Sequence, residues 1–185
     1  MIQGVAGPLE QPEVSSDQFV PLKESIMNIF VVNTNPIIAA RDLCDKHVVK
    51  MITESVQLLS WAMISIGLEG PYKKSDRHWN HPCTKWTRET FENYYWLYRH
   101  ADELGKEYTR RYGKYHLAHK KLHDDVPIWI DLPEFGLTPF ANCTPYKDAG
   151  DIVEAYRKFY VFEKSKFAKW QKGSSAPYWY VNKVF

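Results

Sequence analysis

Residues 44–54 read CDKHVVKMITE and lie inside the most helix-like run of the chain, which we predict to extend from residue 36 to about residue 66. The run is apolar enough for a core helix, yet it carries His47, Lys50 and Glu54. Residues spaced by three, four or seven lie on one side of a helix, so these side chains share a stripe. Three polar groups on a mostly buried helix are costly unless they face a wet cleft or a ligand. The stretch therefore predicts a core helix that forms one wall of a functional cleft.

Length and composition bound the class of protein. The chain has 185 residues, 44% apolar and 15% aromatic, which is enough for one domain with an ample core. It contains no run of about 18 apolar residues, so we expect no membrane partner. Three scattered cysteines and the lack of a secretory signal indicate a reducing compartment. We therefore expect a cytoplasmic protein, in the host cell if it is viral, and its net charge of +2 permits a polyanionic partner.

Helical patterns alternate with segments rich in Gly and Pro. Residues 1–26 show no apolar period, and we predict a disordered or loosely docked extension there, before a domain at residues 27–185. Asn33, Thr34 and Asn35 before Pro36 form a helix-start signal. We predict helices at about residues 36–66, 82–111, 115–123 and 148–172, with a long irregular segment at 124–147 and little or no strand. The predicted fold is an all-α, compact single-domain bundle of about four helices with long irregular loops.

The polar stripe of the first predicted helix has two interpretations. In the functional one, Glu54 orients a nucleophile and His47 contacts a phosphate or a base edge. In the other, the stripe is the solvated side of a helix and contains an i,i+4 ion pair between Lys50 and Glu54.

The stretch His78-Trp79-Asn80-His81-Pro82-Cys83 places two imidazoles and a thiol within six residues. Cys44 and His47 can add two more ligands, so a metal-dependent enzyme built on this cluster is one alternative function. The sequence contains neither a CxxC pair nor HExxH, and we therefore predict no metal and no cofactor. His81 and Pro82 also mark a helix start, which either binds an anion or is simply capped by the histidine.

Basic and aromatic residues alternate along the second predicted helix, a pattern that holds phosphates and unstacked bases in other proteins. Acidic neighbours dilute this patch, so an ordinary solvated helix face is the alternative. At the C-terminus, PYWYVNKVF is either packed on the domain or used as a binding wedge.

Three motifs carry a family resemblance. The first is Asp45-Lys46-His47 with Glu54 seven residues after the histidine. The second is Asn80-His81-Pro82 opening a long helix that ends at Arg111-Tyr112-Gly113, and the third is the C-terminal set Trp179, Tyr180, Lys183 and Phe185. Through them, the chain from Met27 onward resembles the pyrimidine-dimer DNA glycosylases of the phage endonuclease V type. It is also similar to phage reading frames of unknown function.

The resemblance implies a single all-α domain that flips a base out of the duplex and cleaves its glycosidic bond. In this family an N-terminal α-amine is the nucleophile, and β-elimination then cuts the strand. The resemblance places the catalytic carboxylate on Glu54, with Lys50 and His47 in support. The expected partner is duplex DNA with a damaged or modified pyrimidine base. Together with the basic pattern, this predicts DNA contacts by His81, Arg88, Arg110, Arg111, Trp179, Tyr180 and Lys183.

The position of the amine departs from the family pattern, because 27 residues precede Asn28 in this sequence. Three explanations stay open: the extension is removed or reflects a misassigned start, Lys50 supplies the amine, or the lyase step has been lost. A non-catalytic protein that binds nucleic acid or a nucleotide-like ligand is a further alternative.

Overall fold

The computed structural model describes residues 27–185, so the predicted extension at residues 1–26 lies outside the described residues. Within this range the chain forms eight helices and no strand, which confirms the all-α prediction. The helices are α1 (Pro36–Asp42), α2 (Asp45–Ser65), α3 (Asp76–Trp79), α4 (Pro82–Thr87), α5 (Phe91–Tyr112), α6 (Leu117–Asp125), α7 (Ile152–Glu163) and α8 (Tyr178–Asn182). None of the helices in the described part has both the length and the apolar character needed to cross a membrane.

The first predicted helix is divided into α1 and α2. The side chain of Asn35 caps α1 by accepting hydrogen bonds from the amides of Ile37 and Ile38, as the helix-start signal predicts. Leu43 and Cys44 are then extended and fully buried, and the helix restarts at Asp45. The break changes the helix register between α1 and α2, and Ile38 of α1 is 44% exposed.

The second predicted helix is also divided, into α4 and α5. His81 caps α4 because its Nδ1 accepts the amide proton of Cys83. The Thr90 side chain caps α5 by accepting from the Asn93 amide. Gly113 ends α5 with φ of 63°, a left-handed conformation that glycine adopts without strain. The helix therefore stops where the sequence predicted.

The core lies where α2 packs on α5, with α6 crossing both. Leu58, Leu59 and Leu104 are completely buried there, and each such side chain contributes roughly 1.5–3 kcal/mol by leaving water. Gly105 lets α6 approach α5 closely, because a Cβ at this position would lie 2.1 Å from Cγ of His119. This contact fixes the position of α6.

The segment between α6 and α7 contains no helix or strand, as predicted, but it is tied down along its length. The Phe91 amide donates to the Pro133 carbonyl, and the amide group of Asn93 bonds to Thr138. The segment therefore follows a defined path across the start of α5.

The C-terminal region closes over the beginning of the domain. Helix α7 ends at Glu163, earlier than the predicted residue 172, and a further short helix, α8, follows near the C-terminus. Tyr156 and Tyr160 of α7 are fully buried against Phe30, and Nε1 of Trp179 donates to the Asp42 carboxylate at 2.7 Å. Of the C-terminal aromatic residues, Trp179 is thus packed on the domain, whereas Tyr178 is 75% exposed.

Candidate active site

Glu54 is a buried carboxylate in the middle of α2. Its side chain is 8% exposed, and Oε1 lies 2.9 Å from Nζ of Lys50. Its Oε2 accepts a hydrogen bond of 3.2 Å from the backbone amide of Asn28. A carboxylate at this depth is costly to bury unless such partners bond to it. Since Lys50 is 48% exposed, the pair runs from the core to solvent instead of lying on a solvated helix face.

The segment that carries Asn28 has an unusual backbone. The side-chain oxygen of Asn28 accepts the amides of Ile29 and Phe30, and the Val32 amide donates to the Phe30 carbonyl. Phe30 has φ of 59°, a conformation that is rare for a bulky residue and that costs strain energy. The resulting kink brings the Asn28 amide to Glu54 and the Phe30 ring to His47.

His47 lies in an aromatic cluster below the ion pair. Its ring centroid is 4.2 Å from that of Phe30, and edge contacts join it to Tyr160 and Phe167. Its Nδ1 is 2.5 Å from the Tyr160 hydroxyl. Burial, and to a smaller extent the nearby positive charges of Lys164 and Lys50, lower the pKa of His47 to about 3. The imidazole is therefore neutral at ordinary pH and is shielded from solvent, out of reach of a phosphate in this conformation.

A cluster of one imidazole and two thiols lies near Glu54. The potential ligand atoms of His81, Cys83 and Cys143 are all within 4.8 Å of one another, and the two sulfurs are 3.5 Å apart. The hydrogen bond with Cys143 and then burial raise the pKa of Cys83, and the charge of Glu54 adds to this effect. The same bond lowers the pKa of Cys143.

Of the five residues considered as metal ligands, His81 and Cys83 come together and the other three lie elsewhere. Cys44 and His47 lie beside Tyr160, and His78 stacks on Trp61. Within residues 27–185, two groups of side chains have the spacing of metal ligands: the one just described, and Asp102 with His119 and His123. Neither group contains Cys44, His47 or His78. Sequence reasoning missed Cys143 because it lies in the irregular segment, 60 residues after Cys83. It also missed Asn28 and Tyr160 as partners of Glu54 and His47, and no local pattern marks either one.

Two of the residues predicted to contact DNA belong to the core. The guanidinium of Arg111 is completely buried and donates to Glu107, Asp45 and the carbonyls of Leu43 and Arg41. Trp179 is buried with its indole N–H bonded to Asp42. Their polar groups are occupied within the protein, so the structure gives them packing roles instead of a DNA-facing position.

The other five predicted DNA contacts reach the surface to different degrees. Lys183 is exposed, whereas His81 and Tyr180 are half-buried. Arg88 is half-buried with its guanidinium 4.3 Å from the centroid of the Trp79 ring. Arg110 is exposed and forms two hydrogen bonds to Glu107, a carboxylate that also pairs with Arg111.

Comparison with known proteins identifies one family. The model of a family described as pyrimidine dimer DNA glycosylase matches residues 27–121, just over half of the chain. The matched range begins at Met27, includes Glu54 and the Asn80-His81-Pro82 turn, and ends before the C-terminal motif. No curated protein and no solved structure matches the chain.

Proposed function

This chain belongs to the pyrimidine dimer DNA glycosylase family, and on that basis we propose that it excises a damaged or modified pyrimidine base from duplex DNA. The observation that carries the proposal is the buried Glu54 carboxylate, which lies between the Lys50 amine and the Asn28 amide. Cleavage of a glycosidic bond develops positive charge at C1′ of the sugar. A fixed carboxylate in a weakly solvated position stabilises that charge far better than water does.

Lys50 is the amine that this chain offers beside Glu54. In this proposal Lys50 first transfers the proton of its ion pair to water, and the neutral amine then attacks C1′. The bond from C1′ to the base nitrogen breaks, and the base takes up the proton that the newly bonded lysine nitrogen loses. Opening of the sugar ring gives a Schiff base, from which β-elimination breaks the C3′–O bond and cuts the strand. The partial exposure of Lys50 allows a flipped nucleotide to reach it, while Glu54 remains below it in the core.

The nitrogen of Asn28 lies at the other oxygen of Glu54 but is a peptide nitrogen in this chain. Its lone pair is delocalised into the carbonyl, so it is no nucleophile. In a chain processed to begin at Asn28, the same atom would be an α-amine beside the carboxylate. Glu54 therefore has an amine candidate on each side, and one experiment distinguishes them.

The remaining predicted residues have supporting roles in this proposal. His47 positions α2 through Tyr160 and the surrounding rings, and so holds Glu54 and Lys50 in place. Among the half-buried and exposed side chains, His81, Arg88 and Lys183 are the proposed contacts to the phosphate backbone. Arg110 and Tyr180 contribute less, because Glu107 and Trp170 already engage them.

Borohydride trapping tests the proposal. The protein is incubated with UV-irradiated, modified-pyrimidine and abasic duplexes in the presence of borohydride, and any covalent adduct is mapped by mass spectrometry. An adduct on Lys50 that disappears in Lys50→Arg, which keeps the ion pair, identifies the lysine as the nucleophile. An adduct on the first residue of a shortened chain identifies the α-amine instead. Base release without an adduct would mean that the protein is a glycosylase that uses water as the nucleophile. The absence of both base release and nicking on every duplex would refute the proposal.

A further inference from the structure

The imidazole and thiol cluster near the start of α4 has the donor set of a zinc site. Two thiolates bound to one tetrahedral zinc at about 2.3 Å have their sulfurs about 3.8 Å apart. The sulfurs of Cys83 and Cys143 are 3.5 Å apart, and the His81 ring nitrogen is within the same cluster. We propose that His81, Cys83 and Cys143 bind one zinc ion, with water as the fourth ligand.

The backbone around both cysteines is already held in place. The Tyr156 hydroxyl accepts from the amide of Cys143 and donates to the carbonyl of Ala141 at 3.0 Å. Cys83 lies in the first turn of α4, where its carbonyl accepts from the Thr87 hydroxyl at 2.8 Å. The two sulfurs are therefore brought together by a hydrogen-bonded framework that exists without the ion, which lowers the cost of ordering a metal site.

The charge of the proposed complex suits its surroundings. A zinc ion with two thiolates and one neutral imidazole has no net charge, so it can lie near the Glu54 carboxylate without repulsion. Thiolate and imidazole ligands select zinc over magnesium or calcium. His81 and Cys143 are half-buried, which leaves a route for the ion and the water.

Zinc binding removes the hydrogen bond by which His81 caps α4. Nδ1 of His81 now accepts the Cys83 amide proton. Coordination through Nδ1 uses that lone pair, and coordination through Nε2 places a proton on Nδ1. Asparagine accepts the same amide proton as a helix cap but does not replace the imidazole as a zinc ligand. His81→Asn therefore separates capping from metal binding.

A second cluster provides a matched control. The Oδ1 of Asp102 is 3.0 Å from Nε2 of His119 and 2.8 Å from Nε2 of His123, while Lys106 bonds to the other oxygen. These hydrogen bonds and the ammonium group already satisfy the carboxylate. His123→Asn disrupts this cluster without touching the thiols.

The metal content of purified full-length protein tests the proposal. Each protein is reduced, loaded with zinc and passed through gel filtration, and its zinc is measured by elemental mass spectrometry. We expect one zinc per chain in the wild type and in His123→Asn, and none in Cys143→Ser or His81→Asn. A wild type without zinc, or either site variant that keeps it, overturns the proposal.

Two measurements on the wild type exclude trivial outcomes. Cobalt in place of zinc should give a thiolate-to-metal absorption band, and its absence from cobalt-bound protein overturns the proposal even if a variant fails to fold. A thiol titration of denatured protein purified without reductant should find three free thiols after zinc removal. A single free thiol and no zinc would mean that Cys83 and Cys143 form a disulfide instead. Neither result depends on glycosylase activity, so the two proposals fail independently.

Discussion

Replacing Glu54 by glutamine is expected to abolish base release while preserving the fold and DNA binding. Glutamine has nearly the same size, and its oxygen can still accept the Asn28 amide proton. It lacks the negative charge that faces Lys50 and the cationic sugar. Loss of one positioned carboxylate slows such reactions by about 10²–10⁴-fold, and the loss should fall on the chemical step and not on binding.

The expected effect of Glu54→Gln on stability is small. Lys50 is half exposed, so its ion pair contributes only about 0.2–1 kcal/mol. Exchanging a charge-assisted hydrogen bond for a neutral one at Asn28 costs about 1 kcal/mol, and removal of a buried charge offsets part of that. A net loss of about 1 kcal/mol lowers the melting temperature of a domain of this size by about 2–4 °C.

Glu103→Gln is the matched control for this experiment. Glu103 is also 8% exposed and pairs at 2.7 Å with a solvent-facing cation, Arg41, which is 60% exposed. Single-turnover base release from a radiolabelled duplex, a binding titration and thermal unfolding are measured for both variants. Turnover of Glu54→Gln within a few-fold of wild type would refute the catalytic role of Glu54. Equal losses in both variants would mean that ion-pair removal alone causes the defect.

Three further predictions concern stability. Burial holds the pKa of His47 at about 3, below its usual 6.5. Below about pH 6.5 the imidazole therefore takes up a proton in the unfolded chain but not in the folded one. The free energy of unfolding should then decrease as the pH is lowered, by up to about 1.4 kcal/mol per pH unit. Urea titrations at pH 7.5 and 5.5 measure this slope, and His47→Gln should reduce it; an unchanged slope would contradict the burial argument. Gly105→Ala should destabilise the protein by about 1–3 kcal/mol, because the new Cβ would collide with the His119 ring. This cost should exceed the gain from the better helix propensity of alanine. A raised melting temperature would contradict the prediction and show that the ring can move. Arg111→Met should lower the free energy of unfolding by about 3–5 kcal/mol, because it leaves buried carboxylates without their cation. Arg110→Met, at an exposed ion pair, should lower it by less than about 1 kcal/mol. Equal midpoints of the two variants in chemical denaturation would refute this difference.

Local chemistry explains the part of the fold that the sequence predicts. Asn35 before Pro36, His81 before Pro82 and Gly113 each act on backbone groups within a few residues of themselves, so their patterns mark helix ends reliably. The stripe of His47, Lys50 and Glu54 is likewise a local property of one helix, and its spacing predicts the ion pair of the candidate site.

Long-range contacts explain what the sequence did not show. The helix breaks at Leu43 and Cys44, and the Cys44 amide bonds to the hydroxyl of Tyr160, 116 residues away. The same hydroxyl bonds to His47, which therefore lies in the core instead of facing the cleft. Arg111 fits a basic surface pattern by its type and its neighbours, yet four hydrogen-bond partners bury it. No short window contains both members of such pairs.

The closure of the C-terminal region over the first described residues affects how the protein is made. The Val32 carbonyl accepts a hydrogen bond from Arg157, which lies 125 residues later in the chain. The hydrogen-bond partner of His47, Tyr160, is also synthesised late. At about 5–20 residues per second, translation needs roughly 6–25 s to supply these partners. During that time α5 can already pack on α1 and α2, but the side of these helices that contacts α7 stays uncovered. The first helices synthesised are therefore the last to be completed, because a chain that stops at residue 121 still lacks the Tyr160 hydroxyl that bonds to Cys44 and His47.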